Sequence, residues 1–100
     1  MSSSRHSIPL ELAVSMVARA RASAVLPVRG WGFDRDIIDT ILGQPGAAGI
    51  RLYLATDEAG APTLVVVGTD ANQRDLASGE IGELAWPCPP LCDPDSPFKP

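Results

Sequence analysis

Residues 49–69 constrain the fold more than any other stretch of the chain. Gly49-Ile-Arg-Leu-Tyr-Leu-Ala-Thr alternates, with Ile50, Leu52 and Leu54 on one side and Arg51, Tyr53 and Ala55 on the other. A period of two is the signature of a strand, and here one side is wholly apolar. Asp57-Glu-Ala-Gly-Ala-Pro is turn chemistry. Thr63-Leu-Val-Val-Val-Gly-Thr is a second strand, apolar on both sides and therefore expected to be the more central. The two predict an antiparallel hairpin. A lone hairpin is not stable in water. A third strand must come from residues 80–86, from the N-terminal side, or from another copy of the chain.

The first half of the chain predicts two helices. Residues 8–24 form the first, with Ser7 as cap and Pro9 in the first turn, where a missing N–H costs nothing. Glu11, Ser15 and Arg19 recur every four residues as one polar stripe. Leu10, Val14 and Val17 form one apolar row; Leu12, Met16 and Ala20 form another. A helix on a small monomer needs only one such row. The second predicts self-association, with Leu12, Met16, Val17 and Ala20 as the residues that meet a partner. Pro27 stops this helix. Asp34 then caps a second, short helix whose buried face is read as Ile37, Ile38, Ile41 and Leu42, ending at Gly43 with Pro45-Gly46 as the turn.

Beyond Trp86 the composition changes. Six of the last fourteen residues are proline, at 87, 89, 90, 94, 97 and 100. The segment is expected to be extended and polyproline-like. Within it, Cys88-Pro-Pro-Leu-Cys92 places two thiols four residues apart. They could be packing cysteines or a structural disulfide that anchors the tail, provided the backbone brings their Cα atoms within about 7 Å. A metal reading needs four ligands, which two chains could pool. A redox reading wants a neighbouring cation or helix N-terminus, and the tail offers Asp93 and Asp95 instead.

Charge bears on partners. The net charge is −4, divided as +3 over residues 1–30 and −7 over residues 31–100. An acidic domain repels phosphate backbones, so a nucleic-acid partner is not expected. No apolar run approaches the length of a membrane span. Glu11, Arg19 and Arg21 break any signal-peptide pattern, which leaves a cytoplasmic protein as the expectation. With 100 residues, 45% of them hydrophobic, the chain makes one small domain with a thin core.

Other constellations carry little chemistry. Asp70-x-Asn72-x-x-Asp75 opens like a calcium loop, but Arg74 stands where an oxygen ligand belongs and no glutamate closes it. It reads as a turn. Asp57-Glu58 reads as solvated turn residues, and His6 is the one histidine, in a polar N-terminal arm. There is no phosphate-binding loop, dinucleotide fingerprint or Gly-x-Ser-x-Gly setting. The chain is read as no enzyme, with no cofactor and no metal.

The segments Gly49-Ile-Arg-Leu-Tyr-Leu-Ala, Thr63-Leu-Val-Val-Val-Gly-Thr-Asp-Ala-Asn and Pro87-Cys-Pro-Pro-Leu-Cys resemble a family of small, uncharacterised bacterial proteins. The likeness covers the second half of the chain and is most specific at the Pro-Cys-Pro-Pro-x-Cys ending. It implies a bacterial source and no particular activity. The expected architecture is α+β: two N-terminal helices packed on an antiparallel β-hairpin or small sheet, then a Pro-rich C-terminal tail. Residues 1–7 are read as an arm, 8–86 as one domain and 87–100 as the extended tail. The expected function is a non-enzymatic, self-associating structural or protein-interaction module whose partner is itself or another protein. The alternative is a thiol-disulfide redox or sensor protein using Cys88 and Cys92.

Overall fold

The structure, a computed structural model, describes residues 5–23 and 28–98. It is a mixed α+β chain with two helices and two small antiparallel sheets. The elements in order are α1 (Leu10–Ser23), β1 (Gly30–Gly32), α2 (Arg35–Leu42), β2 (Gly49–Thr56), β3 (Pro62–Thr69), β4 (Ile81–Gly82) and β5 (Trp86–Cys88). One sheet runs β2-β3-β4; the other pairs β1 with β5.

The hairpin forms where the alternation places it. β2 and β3 pair in register from Gly49 opposite Thr69 to Thr56 opposite Pro62. Asp57 closes the turn, its Oδ1 accepting from the N–H groups of Ala59 and Ala61, both at 2.9 Å. Gly60 sits at φ 87°, a conformation without steric cost only for glycine. The third strand comes from the 80–86 segment: β4 pairs Gly82 with Val66 and Ile81 with Val67. β3 is thereby central, as its two apolar faces require.

The core is small. Ile41 and Val66 are fully enclosed, and Val67, Thr63 and Thr69 are buried. Opposite residues in an antiparallel pair share a face, so Ile50, Leu52, Leu54, Leu64, Val66, Gly68 and Gly82 lie together. α2 packs there because glycines make room. A Cβ on Gly82 would fall 2.7 Å from both Ile37 Cγ1 and Val66 Cγ1, and one on Gly68 would fall 3.1 Å from Ile41 Cγ2. Ile37 and Ile38 are half-buried, but Leu42 is exposed. Its place in the expected buried face is corrected: α2 ends at Leu42, and the sheet lies beneath Ile41 instead.

Two further local expectations change. Asp34 has the extended backbone of a cap, yet its side chain bonds no helix N–H. Its Oδ1 accepts from Trp86 Nε1 at 3.2 Å, tying the start of α2 to β5. α1 begins with Ala13 N–H donating to Pro9 O at 3.1 Å, but no residue of α1 is buried. The segment after Trp86 is not a continuous polyproline run. Pro87 and Cys88 belong to β5, and turns follow, with Leu91 N–H donating to Pro87 O at 2.9 Å and Ser96 N–H to Asp93 O at 3.2 Å. The expected stop of the first helix at Pro27 lies outside the described residues, and residue 87, where the tail is expected to begin, falls within β5.

Candidate functional site

Among the described residues, three hydrophobic residues are buried, whereas fourteen large ones are exposed. The chain exposes 7484 Å². A compact monomer of 10.5 kDa exposes about 5,400 Å². The radius of gyration is 15.1 Å, against about 13 Å for a compact chain of this length. The exposed apolar side chains are the candidate site.

It has two parts. The first is β2, an edge strand whose apolar side α2 covers only in part: Ile50 is 41%, Leu52 50% and Leu54 72% exposed. The second is α1, where Leu12, Met16 and Ala20 are exposed on one face. Val17, grouped with them on sequence grounds, is half-buried and lines a groove toward the chain's own C-terminal segment.

That groove holds the cysteines. Cys88 and Cys92 are joined by a disulfide, with Cα atoms 4.9 Å apart. A polyproline run would place them about 12 Å apart; the turn after β5 closes the distance. Arg29 N–H donates to Cys88 O at 2.7 Å, continuing the β1–β5 pairing. Arg29, Asp93 and Phe98 line the same groove, of about 340 Å³, and Arg21 Nη1 donates to Phe98 O at 3.4 Å. Cys92 is exposed and Cys88 half-buried. Arg29, distant in the sequence, lines the same groove as the cysteines. Only the β1–β5 pairing brings it close.

On the other side of the main sheet, Arg51, Tyr53 and Asp75 form a polar cluster. Arg51 Nη1 pairs with Asp75 Oδ1, and Tyr53 OH donates to Asp75 Oδ2 at 2.5 Å. Arg51 Nη2 also donates to the backbone O and side-chain Oε1 of Gln73, both at 3.2 Å. Tyr53 and Arg51 together hold the Asp75 carboxyl below the usual aspartate range, the Tyr53 hydroxyl contributing most. Asp75 in turn, with Tyr53, raises Arg51. Every charge is answered locally, so the cluster clamps the 70–75 loop to β2. Asp70 is similarly committed, its Oδ1 accepting from Asn72 N–H at 2.8 Å and Arg74 N–H at 3.0 Å. No group of three or more His, Cys, Asp or Glu among the described residues is placed to hold a metal ion. Nor is any helix among them long and apolar enough to cross a membrane.

Comparison with protein-family models, with curated proteins and with solved structures finds no match.

Proposed function

We propose that this chain is a non-enzymatic, self-associating structural or protein-interaction module of the bacterial cytoplasm. The exposed apolar surface carries the reading: the described residues hide three hydrophobic side chains and leave β2 and one face of α1 largely open. Burying apolar area is worth roughly 25 cal/mol per Å², so a second copy gains by covering it. In this reading both helices cover the hairpin, α2 on its own sheet and α1 through Leu12, Met16 and Ala20 turned to the partner. The Pro-rich tail, turned back and tied by the Cys88–Cys92 disulfide, is a pre-ordered surface that a neighbour meets at low ordering cost. Multi-angle light scattering at tens of micromolar tests it. A mass of two or more chains is expected, and a strict monomer counts against it.

One observation favours the thiol alternative. Exchange requires an accessible sulfur, and Cys92 is exposed; Arg29 and Asp93 both line the groove that holds it. A reducing cytoplasm would open the pair, so the loop would exist in two covalent states. Alkylation of the reduced protein between pH 5 and 9 separates the readings. Rapid labelling below about pH 7 favours a redox role, and labelling only above about pH 8 favours a purely structural pair.

A further inference from the structure

The sheet has two edges of unequal length. β4 closes one with two residues, Ile81–Gly82; β2 leaves eight residues open on the other. Proteins protect such an edge with proline, lysine, a bulge or a covering element. β2 contains no proline and no lysine, and its single charge, Arg51, is tied back to Asp75 on its own chain.

The register fixes which backbone groups face outward. Asp57 N–H donates to Ala61 O at 2.9 Å, continuing the β2–β3 pairing. Hydrogen-bonded residues alternate along an antiparallel strand. Ala55, Tyr53 and Arg51 therefore bond β3, and Ile50, Leu52, Leu54 and Thr56 present their N–H and C=O groups at the open edge.

We infer that β2 pairs with β2 of a second copy, antiparallel about a two-fold axis through Leu52, joining the two sheets into one of six strands. This rests on the self-association reading and adds its geometry. The outward groups lie on even-numbered residues, so even must meet even. Centring on Leu52 sets Ile50 opposite Leu54 of the second copy and Leu52 opposite its counterpart. These three outward pairs are apolar, and about six backbone hydrogen bonds form. Arg51 falls opposite Tyr53. A shift of the centre to Arg51 would oppose two guanidinium groups, and a shift to Tyr53 would oppose Ile50 to Thr56. The two-residue edge at β4 cannot template a further copy to the same extent, so the assembly closes as a dimer.

The test uses the full chain. Facing residues in a hydrogen-bonded pair have Cα atoms about 5.5 Å apart, within disulfide reach. Leu52→Cys is expected to form a covalent dimer on mild oxidation, and Ser78→Cys, exposed just before β4 at the far edge of the sheet, to form little. Leu52→Lys, at a half-exposed position, is expected to keep the circular dichroism of the fold and weaken dimerisation at least tenfold by sedimentation velocity. A native dimer that fails either measurement overturns this pairing and leaves self-association standing. A native monomer overturns both.

Discussion

Replacing Gly82 with alanine tests the seat of α2 on the sheet. The added Cβ would fall 2.7 Å from Ile37 Cγ1 and Val66 Cγ1, where carbon contacts normally settle at about 3.5–4.0 Å. Neither neighbour yields easily. Val66 is fully buried and stiff at χ1, and Ile37 is held on α2. Overpacking of this kind costs about 1–3 kcal/mol. Alanine recovers about 0.5–1 kcal/mol of the backbone entropy that glycine loses in a strand. The net is a destabilisation of about 1–2 kcal/mol, or a fall in Tm of about 5–15 °C for a domain of this size. Gly30→Ala is the control, since a Cβ there meets nothing within 4 Å; it is expected to leave Tm unchanged or raise it slightly. Thermal unfolding followed by circular dichroism, with all proteins at one concentration, reads both. Equal Tm values for Gly82→Ala and the native chain would refute the packing of α2 against β3 and β4.

Two further outcomes are expected. Asp75 titrates below the usual aspartate range because Tyr53 and Arg51 stabilise its charged form, so it adds stability above the ordinary aspartate pKa, and this is lost as pH falls through the lowered value. Tyr53→Phe should move the Asp75 midpoint upward when followed by carboxyl NMR, and an unmoved midpoint would remove Tyr53 from the cluster's account. Opening the Cys88–Cys92 disulfide releases a short loop, for which chain entropy gives about 2 kcal/mol. Under reductant, the Arg29 amide, which donates to Cys88 O, should lose hydrogen-exchange protection before the amides of β3 do; simultaneous loss would show that the disulfide does not act locally on β1 and β5.

The sequence is legible where a pattern is local. Alternation and the Asp57–Pro62 turn locate the hairpin; its demand for a third strand leaves residues 80–86, the N-terminal side or another copy as sources, and the structure takes the first. The Asp70 turn is equally local, because its carboxylate serves its own loop's N–H groups. What cannot be read depends on distant residues meeting. Gly82 looks like any turn glycine until Ile37 and Val66 lie against it. Asp34 carries the signature of a cap, yet Trp86, far along the chain, takes its carboxylate. Arg29 joins the cysteine groove only through the β1–β5 ladder. Leu42 fits the helical period but lies exposed as the last residue of α2. The two apolar rows of α1 are visible in sequence, whereas Val17's turn toward the chain's own tail is not.

The mass of the native chain in solution bears most directly on whether this surface is shared. Sedimentation equilibrium over one to one hundred micromolar, at neutral pH with the disulfide intact, reads it without a label or variant. Self-association predicts a rise from the single-chain mass of 10.5 kDa toward twice that value. A constant single-chain mass across the whole range would contradict it.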